Sequence, residues 1–143
     1  MTATDDPFDL QRFLDAQAPL VEVVRSELRI GLKRSHWMWF VFPQIKGLGS
    51  SATSKFYAIG SREEAAAYLK HPVLGPCLVE YTRLVLAARG RTCEEIFGEV
   101  DCAKFRSCMT LFAAVTLRES VFEEALQRYF DGEGDPLTLE ILE

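Results

Sequence analysis

The sequence predicts an all-α fold, a compact single-domain multihelical bundle of about seven helices including short ones, over residues 1–143. Three observations carry this. Apolar residues recur at spacings of three and four along most of the chain, helix-start residues precede nearly every such run, and Gly and Pro fall at the punctuation points. With 143 residues the chain can bury one good core, and 48% hydrophobic with 26% charged residues is ordinary for a globular protein.

Asp6 and Pro7 read as the N-cap and first position of an opening helix carrying Phe8, Leu10, Phe13 and Leu14. Pro19 interrupts it at Ala18. A second helix then presents Leu20, Val23, Val24 and Leu28 as one stripe and stops at Gly31. Ser35 reads as the cap of a short third helix through His36 to Phe42, ended by Pro43. A continuous aromatic run suits a buried strand equally well, but a lone strand among helices has no partner, so helix is the reading. A loop over residues 44–54 follows.

Ser61 and Glu64 form a capping box for a helix to about Lys70. After His71-Pro72 a long stripe runs through Leu74, Leu78, Tyr81 and Val85, and Gly90 stops it. Thr92 and Glu95 make a second capping box for a short turn ending near Gly98. Asp101 reads as the cap of the next helix, whose Phe105, Met109 and Phe112 are expected to bury against the stripe over 74–84. A helix from near Glu119 carries Phe122, Ala125 and Tyr129, and Asp135-Pro136 opens the last one.

Charge and cysteines narrow the function classes. A net charge of −5 disfavours nucleic acid and anionic membrane surfaces as partners, since both call for cationic surface. No apolar run is long enough to span a bilayer. The acidic start lacks the basic and apolar runs of a signal peptide, so a cytoplasmic location is expected. Cys77, Cys93, Cys102 and Cys108 contain no C-x-x-C pair and have no histidine at ligand spacing. They are expected to be reduced thiols, with neither metal nor cofactor.

Chemistry concentrates in residues 33–57, KRSHWMWFVFPQIKGLGSSATSKFY. Trp37 and Trp39 supply aromatic faces, and a helical offset lets one anchor the core while the other lines a cleft. Gln44 offers an amide that can read a planar edge. The small-residue loop of Gly47, Gly49, Ser50 and Ser51, flanked by Lys46 and Lys55 and followed by Tyr57, suits close approach to an anion. A Cβ at Gly49 is expected to block that approach or to meet a positive φ. The loop is no Walker motif, because no Gly-Lys-Ser/Thr follows. His36, an imidazole beside the aromatic block, is a candidate acid or base, and Glu63 and Glu64 are candidate catalytic carboxylates. The plainer alternatives are a turn between helices, a core aromatic block and a capping Glu64.

The combination Asp6-Pro7-Phe8-Asp9-Leu10, Arg12-Phe13, His36-Trp37-Met38-Trp39-Phe40, Phe42-Pro43-Gln44, Gly47-Leu48-Gly49, His71-Pro72 and Met109-Thr110-Leu111-Phe112 resembles one bacterial and fungal family, domain of unknown function 1810. That resemblance implies a compact all-α domain and implies no particular activity. The order of elements also resembles the NADAR superfamily, which acts on NAD- and ADP-ribose-derived groups. Position 77, often basic in the first family, is Cys77 here.

Two functions follow as expectations. One is a pocket for a nucleotide-like or ADP-ribose-like anionic small molecule, with N-glycosidic hydrolysis as its chemistry. The other is a non-catalytic protein-interaction module that presents an exposed aromatic patch to a protein partner.

Overall fold

The computed structural model describes residues 6–116 and 119–143. The first five residues of the acidic start read above lie outside the described residues. Helices α1 (Gln11–Gln17), α2 (Val21–Ile30), α3 (Met38–Val41), α4 (Ala52–Phe56) and α5 (Arg62–Lys70) make up the first half, with a 3₁₀ turn at Ala18–Leu20. The second half holds α6 (Leu74–Ala87), α7 (Cys93–Phe97), α8 (Glu99–Ala114), α9 (Val121–Phe130) and α10 (Pro136–Leu142). Among the described residues there is no strand, so the all-α expectation holds. The short α4 lies where the sequence reading had the end of a loop.

The chain's start and stop signals explain most boundaries. Gly31 ends α2 in the left-handed region at φ 79°. The Thr92–Glu95 capping box on α7 is complete, and Asp135 and Pro136 open α10 as expected. Three starts differ from the expectation. Regular helix begins at Gln11 rather than Pro7, although Asp6 still accepts the Leu10 and Gln11 N–H groups at 2.6 and 2.9 Å. Helix α8 starts at Glu99, two residues before Asp101, because Gly98 turns the chain at φ 85°. Asp101 instead pairs with Lys33 at 2.8 Å. The third difference, at Ser35, belongs to the cleft.

The buried face of α8 is the centre of the core. Phe105, Met109 and Phe112 are fully buried, as expected, but their cover is different. The chief neighbours of α8 are α9, α7, α5 and α10, whereas α6 packs on α2, α5 and α9. Aromatic contacts make this concrete: Phe105 meets Phe42 and Phe97 at 5.1 and 5.0 Å, and Phe112 meets Tyr68 and Phe122 at 5.3 and 5.8 Å. Tyr68 and Phe122 extend from α5 and α9, so Phe112 is held from both sides.

Candidate ligand cleft

Three pins shape residues 33–58. The first is Glu27 on α2. It is buried and accepts hydrogen bonds from the Arg34 and Ser35 N–H groups at 2.8 and 3.0 Å, from the Ser35 hydroxyl, and from the Trp37 indole N–H at 3.0 Å. Burial pushes its carboxyl up, but these donors together outweigh that and hold it below the ordinary value. Ser35 is thereby turned toward Glu27 and cannot cap, so α3 begins only at Met38, later than expected.

The second pin is a single parallel bridge. The Lys46 N–H donates to the Ile59 carbonyl and the Ile59 N–H to the Gln44 carbonyl, each at 2.8 Å. The third is Arg12 on α1, which donates to the Phe56 and Ala58 carbonyls at 2.9 Å each and to Glu64 at 2.8 Å. Glu64 also accepts the Gly60 N–H at 2.9 Å. The capping box expected at Ser61 is therefore half formed: Ser61 accepts the Glu64 N–H, but the Glu64 carboxylate is committed elsewhere.

Between the arms that these pins hold lies a cleft of about 470 Å³. Trp39, Gln44, Lys46, Gly47, Gly49, Lys55 and Tyr57 line it, and all seven come from the stretch the sequence singles out. Ile45, Ser54 and Ala58 complete the lining. Lys46 and Lys55 are exposed, and among the described residues no carboxylate pairs with either. The Trp39 ring is held by Lys104 of α8, whose ammonium lies over it at 5.0 Å. A protein with net charge −5 thus carries a local positive surface with two aromatic rings in it.

Other expected site residues fall elsewhere. Trp37 is fully buried, bonded to Glu27 and 6.2 Å from the Phe42 ring, so it anchors the core and does not line the cleft. His36 is exposed and outside the lining. Glu63 is exposed at the start of α5, and Glu64 is buried in its ion pair with Arg12. Ser50 and Ser51 also lie outside the lining, where Ser51 caps α4 by accepting the Ser54 N–H at 3.0 Å. No histidine or carboxylate lines the cleft, and so the catalytic roles expected for His36, Glu63 and Glu64 find no support in its geometry.

The loop glycines act differently from expectation as well. Gly47 is the one with positive φ, at 108°. Gly49 is needed for packing against the protein itself, since a Cβ there would meet the Ser54 Cβ at 2.5 Å. A larger residue at 49 would have to displace Ser54.

The family described as "Protein of unknown function (DUF1810)" matches residues 7–142. The chain belongs to that family. Among solved structures, the chain is similar to the conserved hypothetical protein Rv1873 from Mycobacterium tuberculosis. The two are 53% identical, the match covers 96% of this chain and 98% of that one, and the TM-score is 0.94. No curated protein matches the chain. The family match bears out the DUF1810 resemblance, while the likeness to NADAR rests on element order alone.

Proposed function

We propose that this DUF1810 protein binds a small anionic molecule that carries a flat aromatic ring, of the nucleotide or ADP-ribose type. One observation carries the reading: a cleft of about 470 Å³ combines Trp39 and Tyr57 with Lys46 and Lys55 and contains no carboxylate. That volume lies within the span of small-molecule sites. The Trp39 face offers stacking, the Gln44 amide offers donors and an acceptor to a ring edge, and the two ammonium groups attract the anion.

The proposal is binding rather than N-glycosidic hydrolysis. Such hydrolysis needs a carboxylate beside the reacting carbon to stabilise an oxocarbenium-like transition state. Glu64 is the nearest buried carboxylate in sequence, and its two oxygens already serve Arg12 and Gly60. The interaction-module reading has less support, because Trp37, Phe40 and Phe42 are buried and Phe56 is the large aromatic left exposed.

A thermal-shift screen with AMP, ADP-ribose and NAD tests the proposal. A ligand that binds only the native state stabilises it by about 2.7 kcal/mol at a hundred times its Kd. The expected result is a rise in Tm with at least one of these, lost in Trp39→Ala. No shift with any of them would overturn the proposal.

A further inference from the structure

Lys104 stands outside the cleft yet touches the ring that lines it. Its ammonium lies over the Trp39 ring at 5.0 Å, while Lys104 itself is not part of the lining. Its only carboxylate neighbour among the described ion pairs is Asp101, at 3.7 Å, and Asp101 is engaged more closely by Lys33 at 2.8 Å. The Lys104 charge is therefore only partly neutralised and acts on the indole. Because Trp39 lines the cleft and Lys104 does not, the part of the ring offered to the cleft is not the part the ammonium covers.

Resting on the binding reading above, we propose that Lys104 is a specificity residue that makes the cleft select uncharged, electron-rich flat rings and reject cationic ones. An indole face attracts cations because its quadrupole is negative there. A cation already seated on one face draws that density toward itself and weakens the attraction of the other face for a second cation. A ligand ring stacked on the indole from the cleft would lie roughly 8–9 Å from the Lys104 ammonium, about one Debye length at physiological salt, so direct repulsion is mostly screened and the drawn-off ring density carries the discrimination. Lys46 and Lys55 act in the same sense. The favoured class is a phosphorylated molecule with a neutral purine or a reduced pyridine ring, and the excluded class is a pyridinium or an alkylated purinium.

Two probes separate ring charge from shape: oxidised nicotinamide mononucleotide, whose ring is cationic, and its reduced form, whose ring is neutral. Calorimetric titration of the full chain with each, and with AMP, gives three affinities. The expected result is that the reduced form binds about tenfold tighter than the oxidised form. In Lys104→Met, which keeps the stem over the ring and removes the charge, that ratio should shrink to about threefold, and Lys104→Arg should restore it. Circular dichroism confirms that each variant is folded, and Lys104→Gln serves if the Met variant is not. Equal affinities for the two forms in the wild type, or an unchanged ratio in Lys104→Met, would overturn the role of Lys104 while AMP binding leaves the cleft reading intact. Absence of binding by all three probes would sink the cleft reading and this inference together.

Discussion

Residues 32–42 and residues 44–58 are neighbours in the chain, and both are rich in aromatic and polar groups, yet the fold treats them in opposite ways. In the first, Trp37 and Phe42 are closed into the core, and the polar groups of Arg34, Ser35 and Trp37 are gathered onto one buried carboxylate. In the second, Trp39 (contributed across the divide from α3), Tyr57 and two lysines with no carboxylate partner among the described residues face a cleft. Aromatic density alone does not distinguish a core from a site. The distinction comes from a neighbouring helix: where α2 supplies Glu27, the donors are satisfied internally, and at Lys46 and Lys55, which no carboxylate among the described residues reaches, they face the cleft.

The sharpest way to break that division is to truncate each tryptophan. Trp37→Ala should cost about 3–5 kcal/mol in a urea melt, because it empties a fully buried site and takes one donor from the Glu27 carboxylate. Trp39→Ala should cost about 1 kcal/mol and abolish the ligand-induced rise in Tm. Comparable losses of stability at both positions would erase the division. Phe112→Ala, clasped between Tyr68 and Phe122, belongs with Trp37 at about 3–5 kcal/mol.

Next in size is Glu27→Leu, expected to cost about 3 kcal/mol because three or more donors lose their acceptor in the interior. The native carboxyl is held below its ordinary value, so the unfolded chain binds more protons near that value. Its contribution is therefore present above the ordinary carboxylate pKa and is lost as pH falls through the lower native one. Melting the wild type and Glu27→Gln from neutral to acid pH checks this: the variant should lack that part of the acid-side decline. Parallel curves would mean that the charge contributes nothing.

Arg12→Met should act on the other region, at about 2 kcal/mol, by freeing the Phe56 and Ala58 carbonyls and leaving Glu64 unpaired. Amide exchange should quicken over residues 56–60 and stay unchanged over 34–42. The smallest effect is expected for Lys46→Ala, which should weaken ligand binding by about 1 kcal/mol or less and flatten its salt dependence. A loss as large as that of Trp39→Ala would make the anion contact, and not the ring, the main source of affinity.

Much of this was legible in residue order, and the parts that were not share a cause. Helix periodicity and caps such as Thr92 and Asp135 act within a few residues, and the structure keeps them. The helical offset between Trp37 and Trp39 is local as well, and it separates core from cleft. Ser35, Glu64 and the cover of Phe105 depend on partners outside their own elements: Glu27 on α2, Arg12 on α1, and Phe42 and Phe97 from other parts of the core. A cap motif such as Ser61 to Glu64 carries no sign that an arginine 52 positions earlier will claim its carboxylate. Gly49 was legible as a point of close approach, but the atom it approaches is on Ser54 and had to await the fold.

The bridge between Ile45 and Ile59, the only one among the described residues, has a thermodynamic consequence for the cleft. Both arms of the cleft belong to one Ω-type excursion whose ends are tied at its base by two backbone hydrogen bonds. The entropy of closing that excursion is lost during folding, so the arms of the cleft are already registered against each other. The same economy makes the knot a point of release. Losing two hydrogen bonds would uncouple the excursion while the aromatic core remained closed, and the Lys46 and Ile59 amides would then exchange together, ahead of Trp37, as a local opening unit.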